Sequence, residues 1–148
     1  MLTHGMAEGA RREIEELSAL LIEFYERLSS WEHDVVRDSG LTLPQMHTLE
    51  ALGCCGPLRM KDLAARMGVT TGTLTMNVDR LEQRGLIARA PHASDRRSIL
   101  VGLTDRGRVL HQEHHALHLG LTAELAAALS EPEAALLRAI LAKLNQGF

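Results

Sequence analysis

No stretch of this sequence reaches the roughly 18 consecutive apolar residues that a helical membrane span requires. Nor do the first residues show a basic stretch followed by an apolar run, so the expected location is cytoplasmic, with no membrane partner. Cysteine is scarce: Cys54 and Cys55 are the two in the chain, and they are neighbours. Adjacent cysteines make a poor staple, which excludes a disulfide-built fold and suits a reducing compartment. Also missing are a glycine-rich phosphate loop and a nucleophile flanked by a base, and the histidines fall on a helical stretch, so no enzyme is expected. What is present, 148 residues of which 45% are hydrophobic, suffices for a single domain, 1–148, and not for two separate cores.

The net charge of −3 conceals a division. Residues 57–110 hold ten basic side chains against five acidic ones, so the middle is +5 and the two ends together are −8. Such a field draws a polyanion to the centre and keeps it from the flanks; a solvated surface is the plainer account of the same bias.

Periodicity supplies the architecture. Ile14, Leu17, Leu21, Phe24, Leu28, Trp31 and Val35 advance in steps of three and four, the pattern of a long amphipathic helix. At the other end Leu110, Leu117, Leu121, Leu125 and Leu129 share a helical face, Ser130-Glu131-Pro132-Glu133 breaks and restarts the helix, and Leu137, Ile140, Leu141 and Leu144 continue it. Two end segments this apolar on one face need a partner, which makes 8–40 and 105–148 candidate dimerisation helices; packing on each other within one chain is the alternative.

Between them lies a run of short elements, 43–104. Leu43-Pro44-Gln45 opens a helix carrying Met46, Leu49 and Leu52 to a break expected at Gly53. Leu58 to Met67 reads as a second helix, stopped at Gly68. Thr70 and Thr71 are suitable caps for a third, which keeps Leu74, Val78 and Leu81 on one face and ends at Gly85. Helix, glycine turn, helix is the helix-turn-helix pattern. Leu86 to Ala90 and Ser98 to Leu103 then alternate as strands, forming a hairpin, or wing. The expected fold is therefore mainly α with a small β-hairpin wing: a winged helix-turn-helix domain plus N- and C-terminal dimerisation helices.

The third helix of this run carries what a major groove of double-stranded DNA demands. Thr70, Thr71, Thr73 and Thr75 offer hydroxyls and methyls, Asn77 matches adenine, and Arg80 matches guanine or phosphate. Threonines that only cap and cover a helix explain single positions but not the group. At the wing tip, Asp95-Arg96-Arg97 places an acid beside two guanidinium groups, a pattern in which Asp95 orients one arginine while the other enters the minor groove; a hairpin salt bridge is the alternative. A helical adaptor with no DNA role leaves Arg96 and Arg97 unexplained.

The segments Asp62-Leu63-Ala64, Gly68-Val69, Leu81-Glu82-Gln83-Arg84-Gly85-Leu86-Ile87, Asp95-Arg96-Arg97 and Leu103-Thr104-Asp105-Arg106-Gly107 together resemble the multiple-antibiotic-resistance regulator (MarR) family, over nearly the whole chain. The resemblance implies a homodimer on a pseudo-palindromic operator, usually repressing a nearby gene until a small molecule, metal or oxidant alters the spacing of the reading heads. Two reading helices sit about one DNA turn apart, roughly 34 Å, so a small change of spacing forfeits contacts on both half-sites.

The trigger is sought in three places. In His111-Gln112-Glu113-His114-His115-Ala116-Leu117-His118, expected to open the helix that leaves the wing, His111 with His115 and His114 with His118 stand four apart, the spacing at which two imidazoles bind one zinc ion. A hydrated helix face is the alternative for these histidines. Similarity to the zinc-responsive branch of the family implies His47, His114 and His118 as ligands, with Glu32 as the fourth; Met46 and Asp38 stand where that branch keeps a second site. A small organic effector in a cleft lined by Trp31, Met46 and His47 is the default alternative. Oxidation of Cys54 or Cys55 is the third, although no cysteine lies near the start of the first helix, where the family's peroxide-sensing branch keeps its own. No cofactor is required by any of these readings except zinc by the first.

Overall fold

The computed structural model describes residues 8–95 and 97–147. In chain order it holds α1 (Glu8–Asp38), α2 (Leu43–Cys55), β1 (Leu58–Arg59), α3 (Met60–Met67), α4 (Thr71–Gln83), β2 (Ile87–Pro91), β3 (Ile99–Leu103), α5 (Asp105–Ala127) and α6 (Glu131–Asn145). The chain divides into two compact units between Met46 and His47, within α2. No helix among the described residues is long and apolar enough to cross a membrane.

The first unit is the long helix α1 and the start of α2. Side chains four apart on α1 pair as Arg11–Glu15, Arg12–Glu16 and Glu23–Arg27, contacts worth about 0.2–0.5 kcal/mol each on an exposed helix. Its apolar positions Ile14, Leu17, Leu20, Leu21 and Phe24 are each more than half exposed. A capping box begins α2: the Gln45 amide donates to Thr42 Oγ1 at 3.4 Å and the Thr42 amide donates to Gln45 Oε1 at 3.1 Å.

The second unit is built on a three-stranded antiparallel sheet of order β1-β3-β2, covered by the helix-turn-helix pair. Leu63, Ala64, Leu74, Val78, Leu81, Leu86, Ile87 and Val101 are buried in it; on α4 these are the face that the periodicity marks, whereas of the alternating Ile99, Val101 and Leu103 on the wing only Val101 is buried and Ile99 is 52% exposed. Gly68 adopts the left-handed conformation at φ 65° that ends α3, with Val69 N–H donating to the Ala64 carbonyl at 3.1 Å. Thr70 then caps α4, accepting from the Thr73 amide at 3.2 Å. At the other end of the unit Ser130 and Glu133 form the capping box that restarts the chain as α6.

Several boundaries bear on the comparison with the sequence-based expectation. Residues 58–67 are not one helix: Leu58 and Arg59 pair with Val101 and Leu100 as the third strand, and α3 begins at Met60. Two residues are too few to show a period of two. The second helix runs through Gly53 to Cys55 and ends at Gly56, whose φ is 74°. Gly53 is there for packing, because a Cβ on it falls 2.3 Å from the His111 ring. Lastly, α5 starts at Asp105, capped by Thr104, more than a turn before His111.

That cap belongs to a tight junction. Thr104 Oγ1 donates to the Gly85 carbonyl at 2.6 Å, its amide donates to the Leu86 carbonyl at 3.1 Å, and its hydroxyl oxygen accepts from the Gly107 amide at 3.1 Å. A Cβ on Gly107 falls 2.0 Å from the Leu86 carbonyl oxygen, so only glycine fits. Replacing glycine by alanine inside a helix ordinarily stabilises by about 0.5–1 kcal/mol. Here the sign reverses: Gly107→Ala is expected to destabilise by about 1–3 kcal/mol through overpacking, read as a lower urea midpoint. An unchanged or higher midpoint rejects the tight junction.

Candidate nucleic-acid interface and histidine cluster

Helix α4 turns Leu74, Val78 and Leu81 into the core, so at 3.6 residues per turn the opposite face presents Gly72, Met76 and Gln83, flanked by Thr73 and Arg80. Thr71, Thr73, Thr75 and Arg80 are exposed and Asn77 is half-buried. Two hydroxyls are already engaged: Thr70 Oγ1 donates to Thr73 Oγ1 at 3.1 Å, and Thr75 Oγ1 donates to the Thr71 carbonyl at 2.7 Å. Thr75 lies on the shoulder of the helix, not on its outermost strip. Met76, 59% exposed, and Gln83 escaped the sequence reading because neither belongs to the apolar period or to a cap. An exposed methionine opposite the core is the signal that was available, since it offers an adaptable apolar surface to thymine methyl groups.

Arg89 on β2 reaches back to this helix, donating to Asp79 Oδ1 at 2.6 Å and pairing with Glu82. The Asp79 hydrogen bond above all, with the Glu82 charge, raises the guanidinium pKa further. Its side chain is 25% exposed, and its charge offsets those of the two carboxylates on α4.

The wing turn is closed by Asp95, whose carboxylate accepts from the Ser98 hydroxyl at 2.8 Å and the Arg97 amide at 3.1 Å. Among the described residues it braces the backbone of the tip, with exposed Arg97 beside it. Arg96 lies outside the described residues. These two bonds hold the Asp95 carboxyl below its usual range. The brace is thus complete above the ordinary carboxylate pKa of about 3.9 and is lost as pH falls through the lower folded value.

The two histidine pairs on α5 behave differently. His111 and His115 are stacked with ring centroids 6.1 Å apart, and the buried Nδ1 of His111 has no hydrogen-bond partner among the described residues. His114 and His118 converge, Nε2 to Nε2, at 3.0 Å, and His114 is buried. Glu50 of α2 joins them, its Oε1 lying 3.4 Å from His114 Nε2 and 3.7 Å from His118 Nε2. A cavity of about 420 Å³ nearby is lined by His47, Glu50, Ala51, Cys54, Arg66 and Met67. Met46, expected to line an effector cleft, is wholly buried, whereas Trp31 and Glu32 stand half-buried on α1 in the first unit. Cys54 and Cys55 are both free and exposed, and Arg66 Nη2 approaches Cys54 Sγ at 3.9 Å.

Comparison with known proteins bears on this arrangement. A family model described as MarR family matches residues 41–99, the run from the start of α2 to the far strand of the wing. The HTH-type transcriptional repressor MdtR of Bacillus subtilis (strain 168) is 37% identical over 72% of this chain and 69% of its own length. The chain belongs to the MarR family. This MarR-family chain also matches the solved structure of a MarR family protein from Bacillus stearothermophilus, with a TM-score of 0.85 and 26% identity over 97% of this chain and 98% of that one. The structure of Streptococcus pneumoniae FabT in complex with DNA matches with a TM-score of 0.75 and 27% identity over 93% and 95% of the two chains. The MarR-family chain is accordingly a DNA-binding transcriptional regulator and not an enzyme.

Within this regulator the Arg89 clamp generates a prediction. Arg89→Ala is expected to weaken operator binding at least tenfold, or about 1.4 kcal/mol, by leaving Asp79 and Glu82 uncompensated at the groove. The triple variant that also carries Asp79→Asn and Glu82→Gln recovers most of the loss if charge is the cause. A triple variant as weak as Arg89→Ala in fluorescence anisotropy rejects the electrostatic account.

Proposed function

We propose that this regulator works in the cytoplasm as a homodimeric repressor of a pseudo-palindromic operator, released or engaged by a small-molecule or metal effector. The observation that carries the proposal is the apolar surface left open on the terminal helices. Ile14, Leu21 and Phe24 on α1, and Leu137, Ile140 and Leu141 on α6, are each at least 45% exposed although they lie on the faces whose period marks them for burial. A second copy is the partner that covers such faces in a protein with a two-fold operator, which assigns 8–40 and 105–148 to dimerisation and 43–104 to DNA. Thr70, Thr71, Thr73, Thr75, Asn77 and Arg80 then meet one major groove, and the wing segment Asp95, Arg96 and Arg97 meets the adjoining minor groove. Repression is supported by likeness to MdtR, which is named a repressor.

For the effector, an organic ligand at a cleft involving Trp31, Met46 and His47 is the general reading. A specific observation favours a second one. The convergence of His114 and His118 at 3.0 Å supports a zinc-responsive regulator in which those residues act with His47 and Glu32.

Fluorescence anisotropy on duplex DNA from just upstream of the protein's own gene, with chelator and then with added zinc, tests both. Tight binding is expected, with affinity falling about 10³–10⁵-fold between 50 and 200 mM salt if six to ten phosphates are contacted, and sedimentation is expected to give the mass of a dimer. A monomer, or no binding at low salt, overturns the proposal. Binding indifferent to zinc keeps the repressor and rejects the metal reading.

A further inference from the structure

We infer that Glu50 is a direct metal ligand that, with His114 and His118, forms a divalent-cation site contained within the second unit. The inference rests on the metal-responsive reading above and adds to it a residue that the family resemblance did not supply. Three donor atoms carry it: His114 Nε2, His118 Nε2 and Glu50 Oε1, separated by 3.0, 3.4 and 3.7 Å. A point equidistant from all three lies about 2.0 Å from each, which is the Zn–N and Zn–O bond length, and leaves a fourth tetrahedral position for another ligand or water.

An ordinary ion pair accounts less well for the same atoms. A carboxylate bonded to one imidazole sits within about 2.7–3.2 Å of it along a single N–H direction. Here one oxygen stands beyond that range from two ring nitrogens at once, aimed between them. The site is also supported from both sides. His114 is 2% exposed and its ring meets that of His118 edge-on at 4.7 Å, while one turn earlier on α5 the His111 ring occupies the place of the Cβ that Gly53 lacks. α2 and α5 are thus held in close approach at this level. Glu50 also lines the cavity of about 420 Å³, and its side chain is 32% exposed.

A soft thiolate site is not implied, since the three donors are two imidazoles and a carboxylate; Zn²⁺ and Co²⁺ suit that set better than Mg²⁺ or Ca²⁺, which favour all-oxygen shells. An ion held here ties α2 to α5, so metal occupancy acts on the unit that carries the reading helix.

Cobalt titration of the full-length apo protein, followed by its visible d–d absorption and by competition with zinc, tests the inference. The wild type is expected to give the intense band of a tetrahedral ion. Glu50→Gln is expected to bind at least about tenfold more weakly with a shifted band, and Glu50→Asp to recover part of the affinity, with circular dichroism unchanged in both. His114→Ala serves as the control that abolishes the site. If the wild type and His114→Ala behave as stated but Glu50→Gln matches the wild type in affinity and spectrum, Glu50 is no ligand and the metal reading survives without it. If the wild type itself shows no band and no zinc competition, the metal reading falls and this inference with it. Should Glu50→Gln lose its fold, the Glu50→Asp spectrum decides: a band identical to wild type at equal affinity overturns the assignment.

Discussion

The carbonyl group of Leu86 is the point on which the DNA-reading part of the molecule turns. It accepts from the Thr104 amide at 3.1 Å, and the absent side chain of Gly107 lets the first turn of α5 come down onto it. The same short stretch holds the end of α4, through Gly85 at φ 71°, and the start of the wing. Arg106 adds a hydrogen bond to the Arg84 carbonyl at 3.3 Å. Reading helix, wing and α5 therefore leave one knot of backbone in fixed directions. The specificity of the fold here comes from sterics, because a hydrogen bond alone tolerates an extra methyl group and a 2.0 Å approach does not.

Electrostatics is arranged around that knot. The basic middle of the sequence does not present all its charges outward: Arg89 is committed to Asp79 and Glu82, and Arg108 to Asp105. What these pairs achieve is less stability than sign. Exposed pairs contribute little to folding, but Arg89 offsets the negative charge of two carboxylates on α4. Arg80 on α4 and Arg97 at the wing tip, by contrast, are exposed.

How much of this was legible follows the range of the interactions. Long periodic segments read well: the helix α1, the core face of α4 and the strand over Ile99 to Leu103 appear where the sequence placed them, although of the alternating wing residues only Val101 is buried. Local chemistry also read well, as Gly68, Thr70 and the Ser130–Glu133 box show. What failed was set by distant partners. Leu58 and Arg59 become a strand only because β3 lies beside them, and Gly53 passes as a helix breaker until His111 fills its missing side chain. The histidine spacing is the same in both pairs, yet only His114 and His118 converge; His114 is buried and lies beside Glu50, whereas His115 is exposed. Glu50 carries no motif of its own, so no reading along the chain could single it out. Arg89 was likewise counted as one more positive charge until the sheet brought it against α4.

The double clamp of Arg89 has a mechanical meaning beyond charge. A strand tied to a helix at two carboxylates one turn apart resists both sliding and twisting, so α4 and the wing move as one stiff tool. Under the proposed function, a signal that reaches this tool leaves its grip on a half-site intact and alters only where the tool is held. In that reading the response is written in the length of DNA between half-sites, and an operator with one base pair added or removed at its centre mimics the signal in a protein that has received none.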